Sequence, residues 1–198
     1  MGFALAQEAM TRGASVTLVA GPTSVEPPAV SELVRVRSAA QMHAAVMAAS
    51  RDTDVVIMAA AVADYTPASG AADQKVAKSG PMALSLVRTP DILADLGAQR
   101  GDSHTPVLVG FAAETEQTEA RAAEKLRRKR VDLIVANDVT VEGAGFDVDT
   151  NQVTLVSDTG STGPISKEVL PMMSKRDVAA AILNRVETLL TANRPARV

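Results

Sequence analysis

Four groups of residues in this chain have types and spacing suited to a phosphorylated ligand. Lys75 and Lys78 lie in a Gly- and Ser-rich stretch, and lysines on a surface loop can fold over a polyphosphate and stabilise its charge as a bond breaks. Arg121, Lys125, Arg128 and Lys129 stand at i, i+4, i+7 and i+8, so a helix would project all four from one face. In Met58-Ala59-Ala60-Ala61-Val62-Ala63-Asp64-Tyr65, small side chains follow an apolar run, which lets a flat ligand approach main-chain N–H and C=O groups while Asp64 accepts from a ribose hydroxyl. Thr89-Pro90-Asp91-Ile92-Leu93 has the form of a helix entrance, whose free N–H groups can bind a phosphate or a base edge.

Taken alone, each group also has a plainer structural explanation. The lysines can simply be solvated, and Glu116, Glu119 and Glu124 partly neutralise the basic helix. The alanines can pack beneath a helix while Asp64 caps a turn, and Asp91 can cap its helix with no ligand at all. Met42, Met47, Met172 and Met173 are read as gap-filling core or helix residues.

Such residues need elements to position them, and the chain alternates helical and strand patterns throughout. Gly2 to Arg12 has helical spacing and stops at Gly13; Ser15 to Ala20 is a short β-branched run broken by Gly21-Pro22. Thr23 to Ser31 reads as a loop, Leu33 to Val36 as a strand, Ala39 to Ser50 as a helix and Asp54 to Ala60 as a strand buried on both faces. Thr66 to Pro81 has no periodicity and is expected to be a long surface loop. Ala83 to Val87 suits a strand, Asp91 to Leu96 a short helix, Val107 to Ala112 a strand, Glu116 to Arg130 a helix and Asp132 to Ala136 a strand. A hairpin is predicted near Gln152 to Val156 and Gly163 to Ser166, with a last helix from Ser174 to Ala192.

This order predicts an α/β fold: a doubly wound, mostly parallel Rossmann-like sheet with helices on both faces and a C-terminal β-hairpin. In such sheets ligands bind outside the carboxyl ends of the strands. That rule points to Gly21-Pro22, Ala60 to Asp64, Ala112 to Thr115 and Asn137-Asp138. Neither a Gly-x-x-x-x-Gly-Lys-Ser/Thr loop nor a Gly-x-Gly-x-x-Gly turn is present. Because the pattern opens with a helix, residues 1–198 are expected to be a single, N-terminally truncated nucleotide-binding domain whose first strand is missing.

Composition narrows the function classes. The 198 residues are 46% hydrophobic, enough for one sizeable core. Phe3, Phe111, Phe146 and Tyr65 are the only aromatics, too few and too scattered for a stacking platform on single-stranded nucleic acid. A net charge of −3 argues against broad attraction to nucleic acid or anionic membrane. The absence of cysteine excludes a disulfide framework, thiolate zinc and a cysteine nucleophile; His43 and His104 cannot make a multi-histidine metal site. Apolar runs fall far short of the roughly 20 residues of a spanning helix, no signal peptide opens the chain, and Ala6 breaks the myristoylation pattern. A cytoplasmic protein is expected, with neither nucleic acid nor membrane as partner.

In order along the chain, Met1-Gly2-Phe3-Ala4-Leu5-Ala6, Val16 to Pro22, Ala59 to Tyr65, Lys75 to Lys78, Thr89 to Leu93, Gly110 to Thr115, Lys125-x-x-x-Lys129-x-x-Asp132, Ala136 to Val139 and Gly145-Phe146 resemble the phosphopantothenate-cysteine ligase family. This family, also called phosphopantothenoylcysteine synthetase, is the second half of the bacterial bifunctional coenzyme A biosynthesis protein. The resemblance implies a ligase that uses CTP, with Mg2+, to convert 4'-phosphopantothenate into an acyl-cytidylate, from which the amine of L-cysteine displaces CMP. It implies a nucleotide site lined by Met58, Ala59, Ala60 and Asp64, contacts from Pro90, Asp91, Ile92, Leu93 and Phe111, and phosphate contacts from Lys75, Lys125 and Lys129. Lys75 is the candidate catalytic residue, and the metal ligands are unassigned.

The resemblance further implies a homodimer, for which the tail hairpin is the candidate element, and an upstream flavin-dependent decarboxylase. Two departures stand out. A family motif expected before Met1, ending in Asn- and Ser-rich sequence and Gly-Lys, is absent, and Ala77 occupies a position where the family often has lysine. The residues themselves leave two alternatives open: a nicotinamide-dependent oxidoreductase on a similar sheet, and a non-catalytic nucleotide-binding subunit.

Overall fold

The computed structural model describes residues 1–70, 74, 82–114, 118–138, 143, 148–158 and 165–193. In chain order the elements are α1 (Gly2–Thr11), β1 (Thr17–Ala20), β2 (Glu32–Arg35), α2 (Ala39–Ala49), β3 (Val55–Met58), β4 (Tyr65–Pro67), β5 (Leu86–Arg88), α3 (Ile92–Arg100), β6 (Val107–Glu114), α4 (Thr118–Lys129), β7 (Leu133–Asp138), β8 (Thr150–Asn151), β9 (Val153–Asp158), β10 (Ile165–Val169), β11 (Met173–Ser174) and α5 (Lys175–Asn193). The longer apolar runs become strands and the 3.6-residue patterns become helices, as the sequence predicts, whereas β4, β8 and β11 were not expected and β4 takes Thr66 and Pro67 from the segment read as a loop. The Asp91 helix continues beyond Leu96 to Arg100.

Five strands form the central sheet in the order β10-β9-β7-β6-β3. Strands β3, β6 and β7 are parallel, while β9 runs antiparallel to β7 and β10 antiparallel to β9. The predicted tail hairpin therefore exists, but it is built into the central sheet. A parallel pair, β1–β2, and antiparallel pairs, β4–β5 and β8–β11, lie outside this sheet. Among the described residues, β1 has no partner on the edge away from β2, nor β3 on the edge away from β6.

The two-residue alternation of the strands divides the apolar residues between two cores. Leu108, Ala112, Ile134 and Ala136 join Met42 and Val46 of α2, Ile92, Leu93 and Leu96 of α3, and Leu126 of α4. Val107, Val109, Leu133 and Val135 face the other way, toward Leu5 of α1 and Val178, Ala179, Ile182 and Val186 of α5. Helices thus cover both faces, the doubly wound arrangement expected from the sequence. No helix among the described residues is long and apolar enough to cross a membrane.

Two glycines allow the close approaches that place α3. A Cβ at Gly110, in the middle of β6, would lie 2.4 Å from Leu93 Cδ2, so its absence lets Leu93 dock on the sheet. A Cβ at Gly97 would lie 1.9 Å from the Lys129 carbonyl oxygen, so α3 and the end of α4 meet backbone to backbone at this point. At the far end of α3, the guanidinium of Arg100 donates to the Asp132 carboxylate, to the Arg130 carbonyl at 2.6 Å and to the Pro106 carbonyl at 3.0 Å. Asp132 also accepts from the Leu108 N–H at 2.7 Å, which ties the helix to the amino ends of β6 and β7.

Candidate functional site

The three parallel strands end on one side of the sheet, so Met58, Glu114 and Asp138 mark its carboxyl edge. After β3 the chain passes through Ala59 to Asp64 and enters the β4–β5 ribbon, where Tyr65 pairs with Arg88. Thr89 closes this turn: its N–H donates to the Asp64 carbonyl at 3.0 Å and its hydroxyl to the Ala63 carbonyl at 2.7 Å. The Asp64 turn is thereby held against the entrance to α3.

Asp91 caps that helix, accepting from the Ala94 N–H at 3.1 Å, as its position one residue after Pro90 predicts. Lys129 reaches it from the end of α4, with Nζ 2.9 Å from Asp91 Oδ1 and 2.8 Å from Oδ2. The lysine side chain is 13% exposed and the aspartate 49%. Burial, the largest single influence on Asp91, raises its pKa. The hydrogen bonds from Lys129 and Ala94 and the charges of Lys129 and Arg128 together outweigh it and hold the carboxyl below its ordinary value.

The residues expected to bind nucleotide therefore divide by position. Asp64, Pro90, Asp91 and Lys129 gather around the start of α3, and Ala60 is exposed two residues beyond the end of β3. Lys125 lies half-buried one turn before Lys129. Met58 is half-buried against the α2, α3 and α4 core, and the side chains of Ile92 and Leu93 are buried in it, which leaves them main-chain groups for a ligand. Phe111 and Ala59 pack against the opposite core, beside α1 and α5. A ligand touching both sets has to lie across the carboxyl edge. Lys75 and Lys78, with Phe146, fall outside the described residues.

Two residues at this edge lie in stretches to which the sequence pointed, Thr89 to Leu93 and Asn137-Asp138, but were not named among the nucleotide contacts. Thr89 fastens the Asp64 turn, and the signal was its place directly before Pro90. Asn137, in the last turn of the β7 ladder, is 8% exposed, and its Oδ1 has no hydrogen-bond partner. Its signal was an amide ending the apolar run Leu133 to Ala136. Among the described residues no three His, Cys, Asp or Glu side chains converge in a way that could hold a metal ion.

Comparison with known proteins adds a match of residues 1–190 to the model of the DNA/pantothenate metabolism flavoprotein C-terminal domain. The chain belongs to this family. It is 44% identical over 193 residues to the coenzyme A biosynthesis bifunctional protein CoaBC of Vibrio vulnificus (strain YJ016), covering 96% of this chain and 46% of that protein. Against the protein of the same name from Bacillus subtilis (strain 168), identity is 46% over 191 residues, covering 96% of this chain and 45% of the relative. This member of the DNA/pantothenate metabolism flavoprotein C-terminal domain family thus spans about half the length of the curated relatives it matches. Among solved structures, the C-terminal domain of CoaBC superposes with a TM-score of 0.76 at 37% identity, covering 96% of this chain and 82% of that one. The nicotinamide alternative loses its footing with this family membership.

Proposed function

We propose that this chain is a phosphopantothenate-cysteine ligase acting in coenzyme A biosynthesis, with CTP as co-substrate. The observation that carries this reading is the similarity, over 96% of the chain, to the C-terminal domain of a coenzyme A biosynthesis bifunctional protein. In the first step a carboxylate oxygen of 4'-phosphopantothenate attacks the α-phosphorus of CTP. The bond to pyrophosphate breaks, and an acyl-cytidylate forms. In the second step the amine of L-cysteine attacks the acyl carbon, CMP leaves with the electron pair of the C–O bond, and the nitrogen loses a proton to give the amide.

The residues suit the charge movement of the first step. Negative charge shifts onto the departing pyrophosphate, and fixed cations stabilise it. In this reading Lys75, Lys125 and Lys129 contact phosphates, Asp64 accepts from the ribose, and Ala59, Ala60 and Phe111 border the base. An ammonium has three donors, so Lys129 can keep Asp91 as a partner while it takes a phosphate oxygen. Magnesium would arrive with the triphosphate, since its usual sites combine one or two carboxylates with substrate phosphates and water.

The same proposal includes a homodimer, a cytoplasmic location and a flavin-dependent decarboxylase preceding the ligase in the full-length protein. A dimer is supported by the apolar residues left exposed on and before the β4–β5 ribbon: Tyr65, Leu86 and Val87, with Met82 and Leu84. The edge strand β10 of the tail hairpin exposes only Val169 among its large apolar side chains.

The test is a pyrophosphate-release assay on the full-length protein with CTP and magnesium, followed by mass spectrometry after cysteine is added. Release that depends on 4'-phosphopantothenate, and an amide product with CMP, are expected. Release independent of 4'-phosphopantothenate, or no cysteine adduct, rejects the reading. Lys75→Ala is expected to slow pyrophosphate release on the order of a hundredfold; unchanged turnover would return Lys75 to the solvent-exposed role that its composition alone suggests.

A further inference from the structure

Among the described residues only two buried side-chain polar atoms lack a hydrogen-bond partner, Arg100 Nε and Asn137 Oδ1. They lie at opposite ends of the sheet. Arg100 already donates through its other nitrogens to Asp132, Arg130 and Pro106 at the amino ends of the strands, where it fastens α3. Asn137 lies near the carboxyl end of β7, in register with Ala113 of β6 on one side and Val153 of β9 on the other. Alternation along β7 puts it on the α1 and α5 face, one step beyond Val135, where Phe111 and Ala59 also pack.

An apolar residue would serve the fold better at this point. Val135 and Val153 are almost fully buried, and an amide oxygen among such neighbours costs stability for as long as it lacks a donor. Such costs persist in native proteins where a ligand supplies the missing partner. The carboxyl edge is where doubly wound sheets bind their ligands.

We infer that Asn137 is a specificity-determining residue whose side-chain oxygen accepts a hydrogen bond from a neutral N–H or O–H donor of a substrate at the carboxyl edge. The inference rests on the ligase reading, which offers two sources of that chemistry: the amino group of the cytosine base, and the hydroxyl or amide of the pantothenoyl chain. The Lys129 and Asp91 pair deals with charge on the other face, whereas Asn137 would read a neutral group.

The test uses the full-length protein with two replacements that are nearly isosteric with each other, Asn137→Val and Asn137→Thr. Thermal unfolding is measured without ligand, and calorimetric titrations with CTP and with 4'-phosphopantothenate are run separately. Asn137→Val is expected to melt at the same temperature as the wild type or higher, yet to bind one of the two ligands about tenfold more weakly, and that ligand identifies the donor. Asn137→Thr, which restores an acceptor oxygen in the same shape, is expected to recover part of the loss. A Val variant that melts lower and binds both ligands normally assigns the amide to the fold, through a buried water, and overturns the inference. So does equal weakening toward both ligands, or no weakening. A wild-type protein that binds neither ligand overturns the ligase reading itself, and this inference with it.

Discussion

Replacing Gly97 by alanine sets helix propensity against packing, and the structure decides the sign. In an exposed helix interior, Gly→Ala stabilises by about 1 kcal/mol, because glycine loses more backbone freedom on folding. At Gly97 the new methyl carbon would lie 1.9 Å from the Lys129 carbonyl oxygen, 3.0 Å from its carbonyl carbon and 3.3 Å from Arg130 Cβ. The obstacle is backbone and cannot rotate away. Helices α3 and α4 must part by roughly 1 Å, which loosens Leu93, Leu96 and Leu126 in the core they share. Overpacking of this kind costs up to about 3 kcal/mol, so the net effect after the propensity gain is a destabilisation of about 2 kcal/mol. For a domain of this size that corresponds to a melting temperature lower by about 4–8 °C. Urea and thermal unfolding of Gly97→Ala beside the wild type measure it. An unchanged or raised melting temperature for Gly97→Ala would refute the close approach of α3 to the end of α4.

Asp91→Asn should keep the helix cap while removing the charge that faces Lys129, because both residues cap well. The folded-state pKa of Asp91 is depressed, so its stabilisation is present above the ordinary carboxylate value and is lost as pH falls through the folded one. The wild type should therefore exceed the variant by at most about 1 kcal/mol at neutral pH, since the carboxylate is half exposed, and the gap should close in acid. A gap that widens below about pH 4 would contradict this sign. Arg100→Met leaves Asp132 without its buried cation and should cost about 3 kcal/mol in urea unfolding. Because Arg100 lies at the amino ends of the strands, CTP affinity measured on the folded variant should be unchanged.

Much of this molecule can be read locally. The alternation of Val107 to Ala112 and Leu133 to Ala136 already separates two buried faces, and helices on both sides follow from it. Pro90 and Asp91 announce the start of α3, although Asp91 is itself the cap and Pro90 stands just outside the helix instead of at its first position. The full length of α3 was harder to see, because Gly97 looks like an interruption until α4 is known to cross there. The tail hairpin was legible as a hairpin, but its membership of the central sheet depends on β9 meeting β7, which no local pattern specifies.

Periodicity and turn chemistry by themselves determined the α/β class and the order of elements, and they pointed to the carboxyl edge as the place where a ligand is expected. They did so because side-chain periodicity and turn chemistry act over a few residues. Tertiary structure alone decided that Lys129 pairs with Asp91 across 38 residues, that Phe111 lies on the opposite face from both, and that Asn137 is buried with an oxygen unpaired. Those facts depend on where helices cross and which strands become neighbours, and distances of that kind are set by the packed core as a whole.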